Sequence, residues 1–458
     1  MSRIAFTIKK RQSLGGVIVS LLSACGSSKN STVSDNSKNS SDQNISSDTT
    51  LYNLVSGTDR DDTLRGTTVA DKIQGFDGND IIRSNTGNDL IEAGNGDDII
   101  YVEADLDKIY GGAGLDTLAL APQATTNYIK VDLTNGTYQF SKSVSAEKGI
   151  FTSIENVTVS STVQSEIIGS LDDNIISTGN GNDTIYTMLG NNKIDTSGGN
   201  DTVFVTKSTG EINAGLGIDT LVISSSQSSN ATINLSTGEL TFGSDNLNFI
   251  KISGFEKVEL NNQIHGNQII GNEYDNSIIG SDFNDTIRGA LGHDTLSGRD
   301  GKDNFVFNLD DFGNDFSNQD LILDFEVGLN GDKILLDLEN LIETNTPIPT
   351  DINVNRPIVS NQIETYSSVA IRSGSGFLGE VELLSKINKY STFSNTSSQE
   401  IYILAAWFNS MESKAKISLL VDTGEGTQHF EDIHTLISFT AVNEDDLLTL
   451  ITDNLVLL

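Results

Sequence analysis

The sequence predicts an all-β chain built from tandem parallel β-solenoid segments, and three observations carry that prediction. Asp recurs every nine residues, at Asp62, Asp71, Asp80, Asp89, Asp98, Asp107 and Asp116. An aliphatic residue stands two places after each one, from Leu64, Ile73 and Ile82 through Ile91, Ile100 and Ile109 to Leu118. The composition agrees, with 42 Gly, only 4 Pro and a hydrophobic fraction of 36%. A solenoid needs glycine for its turns and few apolar residues for its thin interior. Regular repeats in strict register leave polar low-complexity sequence as a poor account of these blocks.

The charge narrows the partners before any motif is read. Lys and Arg total 28 against 63 Asp and Glu, a formal net charge of −35. Such a chain repels nucleic acid and anionic membrane, and its natural small partners are cations. One cysteine, Cys25, excludes an intramolecular disulfide.

Residues 1–25 read as an export signal. Lys9, Lys10 and Arg11 precede an uncharged stretch from Ser13 to Ala24, too short to span a bilayer. Its end, Leu22-Ser23-Ala24-Cys25, resembles the bacterial lipobox. That resemblance implies lipidation of Cys25, and Gly26 after it implies outer-membrane retention. Residues 26–50, almost all Ser, Asn, Asp, Thr and Lys, are too polar to bury apolar area and are expected to form a disordered tether.

The repeats fall in three blocks: residues 51–118, 166–221 and 269–308. Gly111-Gly112-Ala113-Gly114-Leu115-Asp116-Thr117-Leu118 is the best single copy of the pattern. In the second block the Asp position holds Asn174, Asp183, Asn192, Asp201, Gly210 and Asp219. In the third it holds Asn276, Asp285, Asp294 and Asp303. The pattern Gly-Gly-x-Gly-x-Asp-x-aliphatic-x resembles the RTX, or hemolysin-type, calcium-binding repeat. The resemblance implies right-handed parallel β-rolls with two nonapeptides per turn. It also implies Ca2+ between successive turns on one edge, several ions per chain, held by Asp carboxylates and turn carbonyls. These are the hard oxygen ligands that calcium prefers.

Residues eighteen apart then stack, so Asp62, Asp80, Asp98 and Asp116 form one ladder and Asp71, Asp89 and Asp107 the other. Bare carboxylates about 4.8 Å apart repel by roughly 1–3.5 kcal/mol each, so metal binding and folding are expected to be coupled. In the second block calcium is expected mainly on the edge of Asp183, Asp201 and Asp219, because the other edge holds Asn174, Asn192 and Gly210. In the third block the expected ligands are Asp285, Asp294 and Asp303. The turns before Asp71 and Asp107 lack expected glycines, Val69 standing in one and Val102 to Asp105 in the other, and are the weakest candidate sites.

Residues 119–165 and 222–268 repeat one another. Asp132 to Phe140 matches Asn234 to Phe242, and Ile154-Glu155-Asn156-Val157 matches Phe255-Glu256-Lys257-Val258. Alternating apolar residues around a central Gly suggest β-hairpins that extend or interrupt the solenoid, with no chemistry of their own. Residues 309–340 resemble the segment that caps such rolls, and an open solenoid end needs a cap. Residues 341–458, opened by Pro347, Pro349 and Pro357 and holding the only tryptophan, Trp407, read as a C-terminal β-rich domain. The end, Asp453 to Leu458, resembles the apolar C-terminus of type I secretion substrates, which conflicts with the general secretory route that the lipobox implies.

No enzyme is expected. The sequence has no His-Glu-x-x-His zinc motif and no Gly-x-Ser-x-Gly elbow. Of four histidines only His429 and His434 lie close together, at a spacing poorly suited to paired ligation on a helix. Asp422 to Thr427 lacks the carboxylate spacing of an EF-hand and reads as a β-turn. An ice-binding edge needs regular ranks of Thr and Asn, and Asp59, Asp77, Asn95 and Ala113 are not one. The expected function is a calcium-binding scaffold or adhesin, extracellular or on the outer-membrane surface of a Gram-negative bacterium. It would touch the membrane only through a lipid anchor. Its further partner would be surface polysaccharide, another cell or another copy of itself. The alternative is a freely secreted effector or accessory protein.

Overall fold

The computed structural model describes residues 52–337 apart from 104, 122–125, 127, 144–145, 225–228, 244–248, 262 and 314–317. Beyond them it describes 350–353, 368–372, 401–409, 411–422, 432–440, 442–443, 446–450 and 454–457. Cys25, the 26–50 segment, His429 and the three prolines after residue 340 lie outside the described residues. Among the described residues no helix is long and apolar enough to cross a membrane.

The chain from Thr50 onward is one compact unit, and its described residues form two long sheets, of twenty and sixteen strands. Successive short strands alternate between the sheets, and each pairs in parallel with the strand one full turn on. Asn53 pairs with Asp71 and Ile73 with Ile91 in the first sheet, and Leu64 with Ile82 in the second. That offset of eighteen is two nonapeptides per turn, as the RTX resemblance implies.

The local cause is the x-aliphatic-x triplet. In Thr63–Arg65 and Ile81–Arg83 only the central residue is buried, because alternate side chains point to opposite faces of a strand. Every aliphatic residue of the period, from Leu64 at 8% exposure to Ile73, Ile82 and Ile287 at 0%, lies inside. The interior is thus two facing files of Ile, Leu, Val and Phe. Removing one to Ala would cost about 2–5 kcal/mol through lost transfer energy and the cavity left behind.

The two repeated modules are hairpins, and each enters one sheet only. In the first, Ile129–Asp132, Thr137–Gln139 and Gly149–Thr152 run antiparallel within the first sheet, between Lys108–Ala113 and Ser165–Ile168. The second sheet meanwhile passes without a break from Thr117–Leu120 through Asn156–Val159 to Ile175–Ser177. In the second module the roles reverse. Ala231–Asn234, Glu239–Phe242 and Phe249–Ser253 enter the second sheet, while the first passes from Thr220–Ile223 through Lys257–Leu260 to Ser277–Ile279. The three repeat blocks are therefore parts of one solenoid. The Gly shared by both hairpin turns has a reason: Gly136 and Gly238 sit at φ 60° and 72°, where a side chain is disfavoured. Asp132 and Asn234 brace those turns by accepting the N–H of Asn135 at 2.9 Å and of Thr237 at 3.0 Å.

The cap and the C-terminal strands continue both sheets. Asp320–Ile322 extends the first and pairs in parallel with Asp432–Phe439, which carries Lys414–Asp422 and Ile401–Asn409. Lys333–Asp337 extends the second and pairs with Leu455–Leu457. The described strands Asp432–Phe439 and Leu455–Leu457 are thus joined edge to edge to the roll. Phe325 packs edge-on against Phe439 at 5.2 Å, and Asn454 accepts the N–H of Gly328 at 2.9 Å. The Trp407 indole is fully buried and donates to Ser418 Oγ at 2.8 Å.

Candidate metal centre

Except at Gly210, each nonapeptide ends its turn on a carboxylate or amide at the start of a strand. These side chains, buried except for half-buried Asp62, stack into two ladders, one beside each sheet. Beside the second sheet the N–H of Asp62 donates to Asp80 Oδ1 at 2.8 Å, Asp80 to Asp98 at 2.7 Å and Asp98 to Asp116 at 2.9 Å. Beside the first sheet Asp71 donates to Asp89 at 2.7 Å and Asp89 to Asp107 at 2.9 Å. Further along, the same link joins Asp183 to Asp201 and Asp201 to Asp219 at 2.7 Å each, and Asp285 to Asp303 at 2.8 Å. One oxygen of each accepting carboxylate is thereby committed to the fold.

The other oxygen divides the aspartates into two classes. Oδ2 of Asp80, Asp89, Asp98, Asp107, Asp116, Asp183, Asp201, Asp219, Asp294 and Asp303 is buried with no hydrogen-bond partner. A buried carboxylate oxygen without a donor is costly, and a bound cation is one of the few things that answers it. Asp62, Asp71 and Asp285 differ. Their Oδ2 accepts the backbone N–H of the residue four places back, Thr58, Thr67 and Ser281, and that residue's hydroxyl as well. Those three turns are closed on themselves.

Five residues before Asp80, Asp116, Asp294 and Asp303 stands a glycine whose missing side chain leaves room beside the free oxygen. A Cβ built on Gly75 would lie 2.2 Å from both Ala93 O and Asp80 Oδ2. On Gly289 and Gly298 it would lie 2.1 Å from Asp294 Oδ2 and Asp303 Oδ2. The glycine is required because at Gly75 a main-chain carbonyl and a carboxylate converge, and at Gly289 and Gly298 the carboxylate itself fills the space. Among the described residues no three carboxylates, imidazoles or thiols meet as a metal cluster. Each open turn offers instead one free carboxylate oxygen, at Asp80 with a main-chain carbonyl beside it, and hard oxygen donors suit calcium and not a thiophilic metal.

Burial sets the electrostatics. It pushes Asp89, Asp98, Asp201 and Asp219 up to about 6, with the neighbouring rungs adding repulsion. Asp116 and Asp294 rise to about 7, and Asp107 and Asp303 to about 8, again through burial first. Burial and stacking thus favour the protonated carboxylate unless a cation takes the proton's place.

The ladders extend past the aspartates read from the nonapeptide period. The Asp116 N–H donates to Glu155 Oε2 at 2.9 Å and the Asp219 N–H to Glu256 Oε2 at 2.8 Å. Asp294 donates to Asp320 Oδ1 and Asp303 to Asp332 Oδ1, each at 2.9 Å, so the cap ends both ladders with a carboxylate. Asp107 instead donates to the Tyr138 hydroxyl at 2.8 Å. Ser165 and Asn267 open the later ladders, donating to Asp183 and Asp285 at 2.6 Å. Sequence period missed all of these, though the repeated pairs Glu155/Glu256 and the cap residues Asp320 and Asp332 were visible as segments.

A second, exposed file runs one residue earlier, with the opposite polarity. Asp61 accepts the N–H of Asn79 at 2.9 Å, Asn79 that of Asp97 at 2.9 Å and Asp97 that of Leu115 at 2.8 Å. Asn182 and Asn200 do the same in the second block, and Asp275 and Asn284 in the third. This explains the frequent Asn or Asp immediately before the ladder residue.

The family model of the RTX calcium-binding nonapeptide repeat (4 copies) matches residues 56–91, 83–118, 168–203 and 270–305. These stretches lie within the three repeat blocks and cover well under half of the chain. No curated protein matches the chain. The chain carries calcium-binding repeats of this type, on a fold whose turns present free buried oxygens where such repeats would hold the ion.

Proposed function

We propose that this chain is a calcium-folded spacer of the bacterial cell surface, a non-catalytic scaffold or adhesin tethered through lipidated Cys25. The observation that carries this reading is the row of unpartnered buried Oδ2 atoms in all three repeat blocks. Summed over ten turns, that arrangement disfavours the metal-free fold at neutral pH and favours it once calcium is bound. The chain would stay loose where calcium is scarce and fold outside the cell. Extracellular calcium modules work at about 10⁻⁴–10⁻³ M. The Leu22 to Cys25 motif and the polar 26–50 segment support an anchored rather than a released protein. No catalytic motif stands in the sequence to favour an enzyme. Surface polysaccharide, another cell or another copy of the chain are the partner classes such a spacer would serve.

The test is a calcium titration of chelator-treated full chain, followed by circular dichroism and calorimetry. A steep gain of β signal with several ions bound per chain is expected. A chain fully folded in chelator that takes up no calcium would remove the basis of the reading. The apolar strand Leu455–Leu457 favours one alternative, a freely secreted type I substrate. That alternative requires an unprocessed N-terminus on protein recovered from the medium, whereas the anchored form requires acylated Cys25 in the membrane fraction.

A further inference from the structure

We infer that Glu155 and Glu256 hold calcium at the two junctions between repeat block and hairpin module, each together with the last aspartate of the block before it. The inference rests on the calcium reading of the ladders and extends it to residues outside every matched repeat.

The two junctions share one geometry. Asp116 and Asp219 are both 0% exposed, and each keeps an Oδ2 with no hydrogen-bond partner. The N–H of each donates to the glutamate, at 2.9 Å for Glu155 and 2.8 Å for Glu256. Each glutamate thus takes the place of the next rung.

At the first junction the oxygen-walled space recurs as well. A Cβ built on Gly111 would lie 1.8 Å from Ser153 O and 2.4 Å from Asp116 Oδ2, the pattern of Gly75 with Ala93 O and Asp80 Oδ2. The carbonyl that a nonapeptide turn would supply comes here from the end of the hairpin. Ser153 holds φ 53° to present it, and its counterpart Gly254 holds φ 76° beside Gly215.

The choice of Glu over Asp follows from the shorter turn. Asp80 comes seven residues after buried Ile73, whereas Glu155 and Glu256 come four after buried Phe151 and Ile252. A shorter path leaves the backbone farther from the preceding rung, and one more methylene restores the reach. Each glutamate also lies on the sheet that runs on without a break, while the hairpin enters the other sheet. An ion at each junction would lock the module to the roll through the one sheet that is continuous there.

The experiment counts bound calcium on the full chain by equilibrium dialysis with elemental analysis, for the parent, E155Q, E256Q, the double variant and D80N. Glutamine keeps an acceptor for the Asp116 or Asp219 N–H but carries no charge. One ion fewer is expected for each single variant and two for the double, with β signal retained in saturating calcium. D80N reports on an ordinary rung within a block. Loss of an ion in D80N with none lost in E155Q and E256Q would overturn the inference, leaving the glutamates as hydrogen-bond caps and the calcium reading intact. A parent that binds no calcium would remove both. Should a glutamine variant lose its β signal, hydrogen exchange of the parent decides. Protection of residues 149–157 and 249–258 is expected to rise with calcium, and protection indifferent to calcium would overturn the inference.

Discussion

Phe76, Asn85, Ser197, Ala290 and Arg299 share a backbone state, φ between 61° and 77°, and each stands four residues before an open ladder aspartate. Gly94, Gly112 and Gly215 hold the same place with φ of 127°, 122° and 89°. Where Thr58, Thr67 or Ser281 occupies it, the turn N–H and hydroxyl satisfy the carboxylate instead. Asp107 and Asp183, preceded by Glu103 and Gly179, are open without a left-handed non-glycine residue. The nine-residue period therefore located the carboxylates, but not which of them keeps a free oxygen. In eight of the ten open turns that goes with a left-handed backbone at a residue whose type varies from Gly to Phe to Arg, and residue type alone does not fix it. The Gly94→Ala variant tests the geometry directly. Its Cβ would meet Phe76 O at 1.8 Å in a left-handed backbone, so a loss of about 2–4 kcal/mol in calcium-saturated thermal unfolding is expected.

At the scale of the element, the hairpins explain what sequence reading could reach and what it could not. The match of residues 132–140 to 234–242 is enough to infer paired hairpins, because alternation and a turn glycine are local signals. Their part in the ladders is not local. Tyr138 meets Asp107 across 31 residues, Glu155 meets Asp116 across 39 and Glu256 meets Asp219 across 37, against the regular 18. A period search tuned to eighteen passes over all three. Tyr138 is buried at 1% exposure, and burial drives its phenol far above the ordinary range, so it acts as a neutral acceptor there. The Tyr138→Phe variant leaves the Asp107 N–H with no acceptor. A cost of about 1–3 kcal/mol is expected, read as a lower unfolding midpoint in saturating calcium.

Over the whole molecule the shifted aspartates act together, and the sign of their pH dependence changes with calcium. Their folded values of about 6 to 8 lie above the unfolded range near 4. In the metal-free chain the stability they contribute is full below about pH 4 and is lost as pH rises through 6 to 8. Acidifying chelated protein from pH 8 to pH 5 is therefore expected to increase β signal, protons standing in for the metal. In calcium the order reverses, because the ion binds the deprotonated ladder. Affinity is expected to fall as pH drops below about 7, with protons released on binding at neutral pH. Calorimetry in two buffers of different ionisation enthalpy measures that release, and a buffer-independent heat would contradict it.

The placement of the two hairpins on opposite sheets has a consequence for counting. Of twenty strands in the first sheet, the five from Thr350 onward follow Asp320–Ile322, which leaves fifteen up to that point. Of sixteen in the second, only Leu455–Leu457 follows Lys333–Asp337, which also leaves fifteen. One hairpin alone would make its sheet two strands longer than its partner, an offset of about 10 Å. Asp320 and Asp332, twelve residues apart in the same cap, could not then finish both ladders at one level. The arrangement obeys a parity rule: modules inserted in alternating sheets cancel in pairs, so a chain of this design closes cleanly with an even number of them and ends in a step with an odd number.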